Sequence, residues 1–224
     1  LVDITGLIGQ YVHGNEPSHH IAYLYNYVGE PWKTQKMSRR LLNEMYHPTP
    51  EGIIGNEDCG QMSAWYILSS MGLYSVCPGS NEYVLTTPLF EKVVVHLANG
   101  RTLTILANDP QKNIYITKVE LNGKQIDTNF ITYDCLMRGG ELRFTLSDKP
   151  NKGRGTAEQT APYSYTRDKV VSIPYVDKDL NLFQGSVVVE LATTTQGAKI
   201  RYTLDGSEPT EESFLYKHPF SLNK

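Results

Sequence analysis

Apolar residues recur at three- and four-residue spacing through the first third of the chain, then at two-residue spacing through its middle. That change of period predicts helices followed by strands. The first helix starts at Pro17, which suits a first helical turn. It sets Ile21, Leu24, Tyr25 and Val28 on one face and stops at Gly29. Pro31 opens the second, with Trp32, Met37, Leu41, Leu42 and Met45 inward, and Pro48 and Pro50 break it. The third covers about Gln61 to Met71, with Met62, Trp65, Leu68 and Met71 inward and Gly72 as its stop. In the middle, Val93 to Leu97 and Thr102 to Leu106 flank Asn99-Gly100, a strong hairpin signal. Strands also follow at Ile114 to Leu121, ended by Asn122-Gly123, and at Glu141 to Leu146 after Gly139-Gly140. Lys149 to Arg167, rich in Lys, Gly, Thr, Pro and Tyr, reads as a linker. Beyond it, Ser186 to Leu191 and Ala198 to Leu204 alternate as strands, with a turn at Asp205-Gly206. The expected organisation is α+β and multidomain. Helices fill 1–80, a small antiparallel β-sandwich 81–150, a linker 151–170 and a further β module 171–224.

Composition narrows the class without naming it. The 224 residues are 40% hydrophobic, ordinary for globular structure. A net charge of −3 with both signs interspersed argues against a nucleic-acid partner, which would favour a clustered basic face. No window reaches the run of about 18 apolar residues expected of a membrane span. The 15 tyrosines suit sugar stacking but equally suit β-rich cores. Three cysteines, Cys59, Cys77 and Cys135, have no metal-ligand spacing. Cys77 and Cys135 are expected as small buried residues, and Cys59 as part of a pocket.

The chemistry concentrates in two polar loops, each leading into a helix. One is Tyr11-Val12-His13-Gly14-Asn15-Glu16-Pro17 and the other Gly55-Asn56-Glu57-Asp58-Cys59-Gly60. Adjacent carboxylates at Glu57 and Asp58 repel, so their site needs a cation, several donors or a raised pKa. Such loops at the ends of successive helices describe the rim of a pocket in a helical barrel. Asp58 also reads as a helix N-cap, and Glu16 as an acid at a helix start, stabilised by the dipole. His13, His19 and His20 beside Glu16 raise zinc as a remote alternative.

The strings HGNEPSHHIAYLYNYVGEPWKTQK and GNEDCGQMSAWYILSSMGLYSVCPG, continued by PLFEKVVVHLANG and VELNGK, resemble the C-terminal third of glycoside hydrolase family 92. That family consists of calcium-dependent, inverting exo-alpha-mannosidases, many of them alpha-1,2-mannosidases. The resemblance runs from about Gly6 to about Pro150. It implies that the helices are part of an alpha/alpha toroid whose outer faces lack their neighbours here. IRYTLDGSEPTEESFLYKHPFSL resembles the chitobiase/beta-hexosaminidase C-terminal module, an immunoglobulin-like sandwich, in an incomplete copy. The family's catalytic-acid motif, Glu-Gly-Asn followed by Trp-Gln, does not occur in the chain, nor do its N-terminal β-sandwich and most of its barrel. The chain therefore reads as a piece of an enzyme whose N-terminal part is missing.

By resemblance Asp58 is the general base and Glu57 its assistant or a local charge balance. His13, Asn15 and Glu16 are the implied substrate-binding residues. Calcium is the implied cofactor, with Glu16, Asp58 and His19, or backbone oxygens near it, as ligands. Gln61 is placed to orient Asp58. Trp65 is read as core, and Trp32 as core in preference to a sugar platform. The implied partners are mannose-containing glycans, and the implied location is periplasmic or secreted. The chain begins within a motif, so the lack of a leader carries nothing about export. A non-catalytic carbohydrate-binding or structural module is the alternative, separated from the enzyme by whether the full gene supplies the acid.

Overall fold

A computed structural model describes residues 5–164, 171–177 and 184–223. The chain divides into two compact units between residues 165 and 166. No helix among the described residues is long and apolar enough to cross a membrane.

The first unit opens with a two-residue hairpin, β1 (Leu7–Ile8) and β2 (Tyr11–Val12). The first expected helix is instead two short 3-10 segments, Glu16–Ser18 and Ile21–Asn26. Residues i and i+3 eclipse in that geometry. Tyr23 and Asn26 therefore point inward together, while Ile21 and Leu24 face outward. This reverses the face assigned to Ile21, Leu24 and Val28, the last of which is 69% exposed. The other two helices form as expected: α1 (Pro31–Glu44), with Pro31 in its first turn, and α2 (Gln61–Ser70). Ala22, Tyr23, Leu41, Leu42, Met45 and Trp65 make their common core. Trp32 is only half-buried, with the Lys33 and Lys152 ammonium groups 5.5 and 5.2 Å from its ring centroid.

Next come β3 (Leu73–Tyr74), β4 (Glu82–Leu85), β5 (Lys92–His96), β6 (Thr102–Ala107), β7 (Tyr115–Leu121), β8 (Lys124–Gln125), β9 (Phe130–Thr132), α3 (Tyr133–Met137) and β10 (Gly140–Ser147). The strands form a three-stranded sheet, β3-β4-β9, and a five-stranded sheet, β5-β6-β10-β7-β8. Leu73, Leu85 and Ile131 of the first share one core with Ile105, Val119, Leu142 and Phe144 of the second. The larger sheet is mixed rather than antiparallel, because β10 runs parallel to β6. The turn signals work as read. Asn122 and Gly123 both have positive φ, 51° and 78°, the pair a type I′ turn requires between β7 and β8.

Buried polar groups of α1 lock the helices onto the strands. The Gln35 Oε1 accepts from the Ile116 N–H at 3.0 Å, Ser38 bonds Thr86, and Arg39 donates to Pro88 O at 2.7 Å. The helical and β segments, separated at 80 by period, thus share one compact unit. Residues 151–164, read as linker, belong to it too. The Arg154 guanidinium donates to Ile126 O and Thr128 O at 3.1 and 3.0 Å, and Asn129 N donates to Thr160 O at 2.7 Å. The rest of the expected linker, 165–170, lies outside the described residues.

The described residues of the second unit form three two-stranded antiparallel pairs. They join β11 (Tyr175–Val176), β12 (Ser186–Val189), β13 (Leu191–Ala192), β14 (Arg201–Tyr202), β15 (Phe214–Leu215) and β16 (Phe220–Asn223) as β11-β13, β12-β16 and β14-β15. Gly206 makes the expected turn with φ of 81°.

Candidate functional site

The two polar loops meet through glycines. An added Cβ at Gly55 would lie 2.8 Å from the Gly14 Cα, and one at Gly14 would lie 2.3 Å from Thr5 Oγ1. Only residues without side chains let the backbones approach this closely. The contact brings the loop bearing Glu16 against the loop bearing Asp58, though 42 positions separate the two residues. Both loops carry the triplet Gly-Asn-Glu, at 14–16 and 55–57, a repeated signal that the pattern reading passed over.

Asp58, Cys59 and Gly60 all have left-handed backbone, with φ of 43°, 58° and 92°. For the two that carry a Cβ this conformation costs about 1–2 kcal/mol each. The strained turn leaves Asp58 exposed, and its hydrogen-bonded proximity to Glu16 raises its pKa above the usual carboxylate range. Glu16 is half-buried, and its Oε1 is buried without a donor. Two carboxylates that both only accept need a proton or a cation between them.

The helix-capping role read for Asp58 falls to its neighbour. Gly60 is the N-cap of α2, and the Glu57 carboxylate accepts from the Ser63 N–H at 3.2 Å and the Ser63 Oγ–H at 3.0 Å. Glu57 is thus anchored at the helix start, where the dipole favours a negative charge, while Asp58 is exposed to solvent. Asn15 is exposed beside Glu16. Cys59 is exposed within the strained turn, Cys77 is exposed rather than buried, and Cys135 is half-buried against the β core.

The histidines lie beneath the loops. His13 is fully buried and sits edge-on to Trp65 at 4.5 Å. Its proton can be placed by elimination. The Tyr46 hydroxyl donates to Met62 O at 3.2 Å, so it must accept from His13 Nε2–H at 2.8 Å. His13 Nδ1 then has no hydrogen and accepts from the Tyr11 hydroxyl at 2.8 Å. Burial, with His19 stacked at 4.9 Å, lowers the His13 pKa to about 3. Both ring nitrogens of His19 are also spent, on His13 O at 3.0 Å and on the Gln61 amide at 3.3 Å, and its carbonyl accepts from Trp65 Nε1–H at 3.2 Å. In this arrangement its ring offers no nitrogen to a metal.

A cleft of about 510 Å³ opens beside the acidic turn, between Tyr46, Ile53, Ser63, Tyr66 and Ile67. Its walls are mostly apolar, and its one link to the carboxylates is Ser63, the anchor of Glu57.

Residues 2–148 match the glycosyl hydrolase family 92 catalytic domain, and residues 181–224 the chitobiase/beta-hexosaminidase C-terminal domain. An uncharacterized secreted glycosidase of Arthroderma benhamiae is 34% identical over 155 residues, covering 67% of this chain and 20% of its own. A family GH92 alpha-mannosidase of Bacteroides thetaiotaomicron, solved with mannoimidazole, is 45% identical and similar in structure with a TM-score of 0.71. That match covers 73% of this chain and 22% of the enzyme. The family GH92 inverting mannosidase of Bacteroides thetaiotaomicron VPI-5482 gives 46% identity and a TM-score of 0.66 over 70% of this chain and 21% of its own. The chain spans about a fifth of the length of these relatives.

Proposed function

The chain belongs to glycosyl hydrolase family 92, and from that membership we propose that it is the base-bearing part of an exported, calcium-dependent, inverting exo-alpha-mannosidase acting on alpha-1,2-linked mannose in glycans. The carrying observation is the close approach, through Gly14 and Gly55, of the two distant loops that bear Glu16 and Asp58. Asp58 is the general base. Its carboxylate takes a proton from water as the water oxygen bonds the anomeric carbon and the glycosidic C–O bond breaks. The leaving oxygen takes its proton from an acid that this chain does not carry. The exposed turn of Asp58 gives water access to its carboxylate. Glu57 holds the turn to the start of α2 and leaves the proton transfer to Asp58.

Calcium fits the donors present. Glu16 Oε1 is a buried hard oxygen without a donor, and Asp58 is the carboxyl beside it. Among the described residues no three or more His, Cys, Asp or Glu side chains gather to hold a metal. Glu16 and Asp58 would thus supply part of a six- to eight-oxygen set, with backbone, amide or water oxygens for the remainder. When bound, the ion would offset the repulsion between the carboxylates and engage sugar hydroxyls. Asn15, exposed beside Glu16, is the proposed polar contact to the sugar.

The test is hydrolysis of an alpha-1,2-mannobiose by the full-length protein, followed by proton NMR. Beta-mannose as the first product, with turnover lost in Asp58→Asn, is the expected result. Alpha-mannose first, or an Asp58→Asn variant at full rate, would overturn the proposal.

A further inference from the structure

We infer that His19 is a positioning residue, which with Gln61 forms a hydrogen-bonded strut holding the Glu16 loop against the Asp58 loop. The inference rests on the reading of Glu16 and Asp58 as one site, and assigns to His19 a role other than metal ligand.

The strut can be followed atom by atom. The His19 backbone N–H donates to Glu16 O at 2.9 Å, and the Gln61 backbone N–H donates to Asp58 O at 3.2 Å. Each strut residue is therefore tied to the main chain of one carboxylate residue. Their side chains close the gap between, the Gln61 amide donating to His19 Nδ1 at 3.3 Å.

The proton positions are fixed by the partners. His13 O can only accept, so His19 Nε2 carries the hydrogen that reaches it at 3.0 Å. A neutral imidazole then has a bare Nδ1, which must accept. Gln61 accordingly turns its NH₂ toward His19. A hydrogen bond between the two loops fixes their spacing, and leaving His19 Nδ1 without its donor would be costly. Packing alone would not require this: an apolar side chain could fill the place of Gln61 without joining the loops.

Amide hydrogen exchange on the full 224-residue chain tests the strut and needs neither substrate nor metal, so its outcome is independent of the mannosidase proposal. Gln61→Leu keeps most of the volume at a half-buried position and removes the bond. Exchange at Ser18 and His19, on the opposite loop, is expected to rise roughly fivefold, the equivalent of one lost hydrogen bond. Leu142 in β10 should be unaffected. His19→Gln, which keeps a donor for His13 O and an acceptor for Gln61, is expected to restore protection that His19→Leu loses. Unchanged exchange at Ser18 and His19 in Gln61→Leu would overturn the proposal. So would equal exchange in His19→Gln and His19→Leu, because His19 would then act by packing only.

Discussion

Acid should weaken the first unit through His13. The residue is fully buried and neutral, with the Tyr11 hydroxyl donating to Nδ1 and Nε2–H donating to Tyr46. A second proton has no acceptor facing it unless Tyr11 turns its hydroxyl away. The His13 pKa falls from an ordinary 6.5 to about 3, mainly by desolvation and secondarily by the neighbouring His19. The sign follows from proton uptake. Below 6.5 the unfolded chain binds a proton that the folded chain refuses until about pH 3, so stability present above 6.5 is lost across that window. Each pH unit within it is worth about 1.4 kcal/mol. Between pH 7.5 and 5 His13 should cost about 2 kcal/mol, and near pH 3 about 4 kcal/mol. His19, also lowered by burial, acts in the same direction. Urea unfolding followed by fluorescence of the buried Trp65 gives the stability at each pH. His13→Gln should be less stable than the parent chain at pH 7.5, yet lose less on acidification. The gap between the two should shrink by about 2 kcal/mol by pH 5. A gap that stays constant over this range would refute the buried neutral assignment.

Four further outcomes are expected. In the full-length enzyme Asp58→Asn should lower kcat at least about a hundredfold, the lower bound usual for acid–base catalysis, and Glu57→Gln should lower it less; steady-state kinetics in which Glu57 proves indispensable and Asp58 does not would reverse the assignment. The 224-residue chain alone should not hydrolyse an aryl alpha-mannoside or an alpha-1,2-mannobiose, and chelator-sensitive turnover at the rate of a whole enzyme would show that no outside acid is needed. Calcium at 100 times its Kd should stabilise the full-length protein by about 2.7 kcal/mol in thermal unfolding, and Glu16→Gln should abolish most of that gain. Gly55→Ala should cost about 1–3 kcal/mol in urea unfolding, because its φ of 81° is left-handed and its new Cβ meets Gly14 at 2.8 Å; a neutral effect would mean that the loops need not touch.

Wherever a property depends on neighbours in the chain, the sequence alone determined it. Pro31 and the spacing of Leu41, Leu42 and Met45 suffice for α1, and Asn122-Gly123 for the β7–β8 turn, because capping and positive φ are local. The long strings shared with family 92 likewise marked the family to which the chain belongs. Tertiary structure decided what depends on distant partners. Residues 21–28 have a helical apolar period, yet Tyr23 and Asn26 are drawn inward, Tyr23 bonding Ser69 and Asn26 donating to Leu85 O at 3.2 Å. β10 pairs parallel to β6, which no alternation pattern can signal, since alternation fixes a face and not a direction. Residues 151–164 have a linker's composition but are held by the hydrogen bonds of Arg154 and Asn129. At the site, spacing could not divide the roles of adjacent acids. The left-handed turn separates their surroundings, directing Glu57 to Ser63 and leaving Asp58 exposed near Glu16. Burial, finally, set the partners of His13 and His19, because an imidazole's availability depends on which groups surround its two nitrogens.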